Sequence, residues 1–217
     1  CCIRSDGGGA VVLVSEDRAR DLPKEPVWVL GAGEATSHHT MSEWADFTES
    51  PAVDSAARAF GMAGVTPHDI DFIEVYDSFT ITVLLTLEAM GFCKKGEGGS
   101  FVEGGRLLID GDLPCNTDGG GLSSNHPGMR GIFLIIEAVE QLRGEALGRQ
   151  VDDVRVAAVN GTGGWFSSTG TLVLGVESLQ EHGGRAEQQE KSFEQLEELV
   201  NQRRQSIFGG VSGRVGG

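Results

Sequence analysis

A histidine and a tyrosine are the residues of this chain best suited by type and context to move a proton. His126 sits in the run "CNTDGGGLSSNHPGMRG", Cys115 to Gly131, directly before Pro127 and a long apolar stretch. Proline is favoured at the first helical position, so the spacing puts His126 at the mouth of a helix. The positive end of a helix dipole favours a neutral imidazole over an imidazolium. A neutral imidazole can take a proton from a nucleophile or donate a hydrogen bond to a developing oxyanion. Gly119, Gly120 and Gly121 would let the backbone approach a substrate carbonyl, with Asn116 and Asn125 flanking them. An isolated His-Pro step reads as a capping histidine in a tight turn. With the glycine run upstream, the catalytic reading is the better one.

Tyr76 is the single tyrosine of the chain and heads "YDSF" at the end of an apolar run. The ends of strands in α/β sheets are where ligand-facing groups collect. Its phenol can serve as acid or hydrogen-bond donor, against the plain alternative of a tyrosine at the edge of the core. Asp77 and Ser78 read as caps of the helix that follows, the usual role of these residue types. "NGTGG", Asn160 to Gly164, is a turn where Gly163 and Gly164 would bring backbone close to a ligand. His38 and His39 are neighbours whose side chains diverge, so they read as loop histidines and no metal ligands are expected. Cys93 and Cys115 lie near loops with no base placed beside either, and read as buried or half-buried thiols.

The elements that must hold these groups alternate. "GAVVLVS", Gly9 to Ser15, reads as a short buried strand, followed by a polar helical turn. "EPVWVLGAGEA" reads as a second strand, Ser37 to Ser50 as a loop, and Asp54 to Met62 as a helix. A strand ends near Tyr76, then an apolar helix runs to Gly91. Cys93 to Leu113 is a glycine-rich charged loop of functional length. A helix from Pro127 carries Ile132, Ile135, Ile136 and Val139 at helical spacing and closes at Gly144. "VRVAAVNGTGG" and "GTLVLGVE" then form an antiparallel pair. Strands alternating with helices and closed by a hairpin describe an α/β layered domain. "SDGGGAVVLVS" and "NGTGGWFSSTGTLVLG" share a glycine-rich turn before an apolar strand, a sign of internal duplication. After Gly175 the composition turns to Glu, Gln and Arg, with Phe193, Leu196, Leu199 and Val200 on one helical face. That pattern is an amphipathic helix ending in a mobile glycine-rich stretch.

Composition narrows the partners. The formal net charge of −15 disfavours nucleic acid and anionic membrane surfaces, which call for a basic face. No apolar stretch is long enough to cross a bilayer, and the first residues do not read as a signal peptide. The four cysteines make neither a disulfide framework nor a metal pattern, which fits a reduced cytoplasmic protein.

Taken together, these blocks resemble the C-terminal half of the thiolase superfamily. The nearest branch is the lipid-transfer or sterol-carrier-protein-type thiolases, which includes the steroid side-chain aldolases. Tyr76–Phe79 stands where the family has Asn-Glu-Ala-Phe or His-Asp-x-Phe. Asn116–Gly131 matches its glycine-rich run and His-Pro, and Gly161–Gly164 its Cys-x-Gly-Gly turn. "SDGGGAVVLVS" resembles the end of the family's N-terminal half, and the whole match spans Ser5 to Gly175.

The resemblance implies a thiolase-like layered α/β fold: a second βαβαβ repeat with closing antiparallel strands. Residues 1–22 would end an N-terminal half, 23–178 would form the C-terminal domain, and 179–217 a charged helical tail. It implies His126 as base and oxyanion donor, Tyr76 at the family's Asn/His position, and Asn116, Gly119–Gly121, Asn125, Gly163, Gly164 and Ser78 around the substrate. It also implies a coenzyme A thioester as substrate with no bound cofactor, a homodimer, and a small acyl-CoA-binding partner of the OB-fold/zinc-ribbon type.

The family's nucleophilic cysteine belongs to the N-terminal half. Its second cysteine is matched here by Gly161, and the thiol of the His-Asp-Cys-Phe block by Ser78. The first expectation is an acyltransferase that makes or breaks a C–C bond and is incomplete without that half. The second is a CoA-dependent retro-aldolase of a steroid-like side chain, where phenols handle the proton. The third is a non-catalytic acyl-CoA- or lipid-binding subunit. A cysteine heading a helix upstream would favour the first, and dispensability of both His126 and Tyr76 would leave only the third.

Overall fold

The computed structural model describes residues 1–126 and 128–178. Four strands, β1 (Trp28–Thr36), β2 (Phe72–Val75), β3 (Val156–Gly163) and β4 (Ser168–Gly175), form one sheet in the order β1-β4-β3-β2. β3 and β4 are the antiparallel pair read from the sequence, β1 adds antiparallel to β4, and β2 lies parallel to β3. The parallel step is reached through a long crossover. It consists of α3 (Thr80–Ala89), the short turns α4 (Gly98–Phe101) and α5 (Gly120–Ser123), and α6 (Gly131–Leu142). Two further α-helices, α1 (Glu16–Ala19) and α2 (Ala52–Ala63), and short 3-10 turns at Met41–Glu43, Pro67–Asp69 and Glu103–Gly105 complete the set among the described residues. The result is the α/β layered architecture expected.

Each face of the sheet buries a different helix. α2 lays Ala56, Ala59 and Phe60 on one side, where Ile73, Val75 and Val173 meet them together with Leu87 of α3. Gly31 and Gly33 of β1 make this contact possible, because a Cβ at either would collide with the backbone carbonyls of Ala59 and Ser55. On the other side α6 presents Leu134, Ala138 and Leu142 to Phe72, Ala157, Val159 and Leu174. Leu134 is fully buried, which stabilises the fold by roughly 1.5–3 kcal/mol. α6 covers β2 and β3, so the same face of β1 and the start of β4 stay open, with Val29 and Gly170 exposed.

Two expectations are corrected. The segment 9–15 is no buried strand: it pairs with no strand among the described residues, and Val12 and Leu13 are 86% and 81% exposed. Its apolar pattern lacks a neighbour to hydrogen-bond, and a lone extended chain is no sheet. The helix expected from Pro127 begins at Gly131 instead, after Gly128 takes a left-handed φ of 88°. Pro127 itself and the amphipathic tail after Ser178 lie outside the described residues. Among the described residues, no helix is long and apolar enough to cross a membrane.

Candidate active site

Tyr76 leaves the carboxyl end of β2, its N–H donating to the carbonyl of Asn160 on β3 at 2.9 Å. Alternation along β2 sends Phe72, Glu74 and Tyr76 toward α6 and Ile73 and Val75 toward α2. The phenol oxygen of Tyr76 lies 2.6 Å from Nε2 of His126, the rings meeting edge to face at 5.4 Å between centroids. The two residues singled out from the sequence, fifty positions apart, are one hydrogen-bonded pair. His126 owes its place to neighbours rather than to a helix terminus, since α6 starts five residues later. Its N–H donates to Ser5 Oγ at 3.1 Å, and its carbonyl accepts from the Ser5 N–H at 3.4 Å.

Burial raises the Tyr76 pKa above its ordinary 10.0, and nearby Cys2 and Asp77 add to the rise, while the Arg130 backbone amide and charge act against them. The phenol is therefore a neutral donor at physiological pH. With the imidazole proton on Nδ1, Nε2 accepts from the phenol, and with the proton on Nε2 the phenol oxygen accepts, so a proton can pass along this hydrogen bond.

The glycine run does a different job from the one expected. The Asp77 carboxylate accepts from the N–H groups of Gly121 at 2.7 Å and Leu122 at 3.1 Å. Asp118 accepts from Gly120 at 2.8 Å, and the Asn116 carbonyl from Gly119 at 2.9 Å. The amides of Gly119, Gly120 and Gly121 are thus committed inside the protein, leaving none as an oxyanion donor. Gly120 is needed because its φ is 65° and a Cβ there would strike the Asp77 carboxylate. Asp77 caps this turn, not α3 as expected; there Thr82 Oγ1 accepts the Phe79 N–H at 3.2 Å. Ser78 donates weakly to the same hydroxyl at 3.4 Å, and its carbonyl accepts the Cys2 N–H. Asn116, at φ 52°, uses Oδ1 to hold the Val75 N–H at 2.8 Å. Asn125 accepts from Arg130 at 2.9 Å. Gly163 borders the open cavity, while Gly164 turns the β3–β4 hairpin at φ 60°.

That cavity, about 770 Å3, opens beside the pair. Tyr76, Met129, Ile132, Gly161, Gly163 and Gly170 are among its lining residues. Nothing approaches a Cβ built at Gly161 or Gly170, so this glycine floor is bare backbone. The expected thiols are elsewhere. Burial pushes the Cys115 thiol well up and that of Cys93 up to about 11, so neither is a nucleophile near neutrality. Cys2 is close: a Cβ on Gly121 would touch both its Cβ and the His126 ring. His38 stacks on Trp44 at 5.1 Å and bonds to Ser37 and the Trp165 carbonyl. No cluster of three or more His, Cys, Asp or Glu that could hold a metal occurs among the described residues.

Two site residues were missed by sequence reasoning. Arg130 is fully buried at the start of α6, ion-paired with Asp118 and bonded to Asn125. Glu74 is fully buried beneath the pair and accepts from the N–H and Oγ1 of Thr117, both at 3.0 Å. Burial holds its carboxyl well above the usual range, reinforced by Asp118 and Glu137, although the Thr117 hydrogen bonds oppose this. Thr117 is also bonded to Glu137 of α6, itself paired with Arg149. The signal for Glu74 was available: a carboxylate inside the apolar run "DFIEVY".

Comparison with known proteins gives a consistent result. The family described as Thiolase C-terminal domain-like matches residues 33–176. An acetyl-CoA acetyltransferase of Methanothermobacter thermautotrophicus is 43% identical over 166 residues, 76% of this chain and 43% of that protein. A steroid side-chain-cleaving aldolase of Thermomonospora curvata is 39% identical over 182 residues, 82% of this chain and 45% of that one. The solved structure of an Ltp2-ChsH2(DUF35) aldolase is similar with a TM-score of 0.68 at 35% identity, covering 75% of this chain and 42% of that one. The chain spans under half the length of these relatives.

Proposed function

The chain belongs to the thiolase C-terminal domain-like family, and from that premise we propose that it supplies the proton-transfer pair of an enzyme cleaving or forming a C–C bond beside a coenzyme A thioester. The observation that carries this reading is the 2.6 Å contact between His126 and Tyr76, whose side chain lines an open cavity. The geometry supports a retro-aldol step best. With His126 relaying, the pair accepts the proton of a hydroxyl β to the thioester. The bond between the α and β carbons breaks, its electrons pass to the thioester enolate, and a carbonyl forms at the β carbon. Return of the proton to the α carbon yields the shorter acyl-CoA. No thiol and no free coenzyme A enters this sequence, in keeping with Gly161 and Ser78 standing where the family has cysteines. The glycine floor leaves room for a bulky group, and the likeness to a steroid side-chain-cleaving aldolase supports a steroid-like one.

Acyl transfer is the second reading, favoured by the likeness to an acetyl-CoA acetyltransferase and by the retained His126-Pro127 step. It needs a nucleophilic cysteine, which in the family lies in a half this chain does not contain. We also propose a homodimer and a small partner, the latter because the similar solved structure is that of an Ltp2-ChsH2(DUF35) aldolase.

One experiment separates the two. The enzyme containing this chain is given a CoA thioester with a tertiary β-hydroxyl group, and products are identified by mass spectrometry. The retro-aldol reading expects a ketone and a shorter acyl-CoA in equal amounts without free coenzyme A. Turnover only of a 3-oxoacyl-CoA, and only with free coenzyme A added, would overturn it in favour of thiolysis.

A further inference from the structure

We propose that Arg130 is a positioning residue that holds His126 against Tyr76 by tying both ends of the glycine-rich segment to the start of α6. This rests on the reading of Tyr76 and His126 as the working pair, and adds the residue that keeps them in contact.

The connection from Asp118 to Arg130 is held at its glycine turn by Asp77 and at His126 by Ser5, and its side-chain tie to α6 is Arg130. It passes Gly119 and Gly120 at left-handed φ, then Gly128 at 88°, and Met129 is 78% exposed. Arg130 has no exposed surface at all and is the largest fully buried side chain of the described residues. One amino group of its guanidinium bonds both carboxylate oxygens of Asp118, the residue ahead of the glycine run. The other donates to Oδ1 of Asn125 at 2.9 Å, the residue directly before His126. Asp118 passes the hold on, accepting from the Gly120 N–H at 2.8 Å. A single planar fork thus joins the start of α5, the approach to His126 and the start of α6.

Arginine suits this role because its donors diverge in a fixed plane, which an ammonium cannot copy. Arg130 does not line the cavity; its backbone amide and charge act to lower the Tyr76 pKa, so its placement bears on the phenol as well as on the approach to His126. The groups facing Tyr76 are His126, Cys2 from the N-terminal segment, Asp77 next along the chain, and Arg130 with its partner Asp118.

Tyr76 is the only tyrosine, so ultraviolet titration of the 217-residue chain at 295 nm reports on it alone. The test is a double-mutant cycle with that titration as the readout, and it needs no turnover. Alone, His126→Ala should move the Tyr76 midpoint by about half a pH unit or more, the size of one net hydrogen bond. In an Arg130→Gln background the same change should move it by less than half as much, because the contact is already lost. A shift of equal size in both backgrounds would overturn the role of Arg130 and leave the pair standing. No shift in the wild-type background would sink the pair, and with it both proposals. If circular dichroism shows Arg130→Gln to be unfolded, Arg130→Lys and Asn125→Ala run the same cycle, each removing one arm of the fork. Reduced coupling there supports the proposal and undiminished coupling refutes it.

Discussion

Replacing Tyr76 by phenylalanine removes one oxygen and keeps the ring that packs on α6. Two effects follow from the structure, and their sizes differ enough to be told apart. The lost oxygen ends a 2.6 Å bond to His126 in a half-buried setting, costing about 0.5–1.5 kcal/mol of stability. In a chain of this length that lowers the melting temperature by roughly 1–6 °C. The catalytic effect should be larger. Positioned proton transfer contributes about 10²–10⁴ in rate, so kcat should fall at least a hundredfold, equal to roughly 2.7 kcal/mol of barrier. KM should change little, because the cavity lining other than the phenol is untouched. The assay is single-substrate turnover of a β-hydroxyacyl-CoA by the enzyme containing this chain, with a melting curve on the same preparation. The pH profile supplies a second check. Because burial raises the phenol above 10.0, the group stays protonated across the neutral range. Activity that needs the phenol as donor should then show no loss up to about pH 10 from this group. A kcat within twofold of wild type, with the melting temperature lowered as expected, would make Tyr76 a packing residue and refute the reasoning.

Glu74→Gln should stabilise the fold increasingly as pH rises above about 4.5, the ordinary carboxyl value. The sign follows from the raised folded pKa: above that pH the unfolded chain gives up the proton while the folded one keeps it, so the wild type loses stability. Melting curves of both proteins from about pH 4 to about pH 8 test this, and a difference that stays constant with pH would contradict it. Iodoacetamide near neutral pH should label Cys1 first, since it is exposed, and Cys93 and Cys115 more slowly while the chain is folded, since both are only part-exposed and burial raises both thiols. Peptide mass mapping reads the order, and labelling of Cys115 as fast as Cys1 would contradict it.

How much of this was legible in the sequence depends on the range of the interaction. The strands around Trp28, Phe72, Val156 and Ser168, and helices α2 and α3, were readable because apolar periodicity is local and repeats within a few residues. The thiolase-like family was readable for a related reason: its blocks are short runs, "YDSF", "NHPG" and "NGTGG", whose order survives in a linear text. Tyr76 and His126 were found as candidates by type and context. Gly9–Ser15 misled because an apolar run reports that a surface wants burial and cannot report whether a partner strand is there to provide it.

Only the tertiary structure decided the rest. It brought Tyr76, at the carboxyl end of β2, to His126 across fifty residues, where Ser5 holds the histidine. It gave the glycine amides to Asp77 and Asp118 rather than to a ligand. It also buried Arg130, which as sequence looks like an ordinary surface charge, and gave the buried Glu74 its partner Thr117. The physical reason is common to all three. A hydrogen bond is settled by distances of about 3 Å between groups, and those distances are fixed by the packing of α6 and α2 on the two faces of the sheet. Composition and period determine which surfaces must be buried; which polar groups then meet is determined only when the layers close.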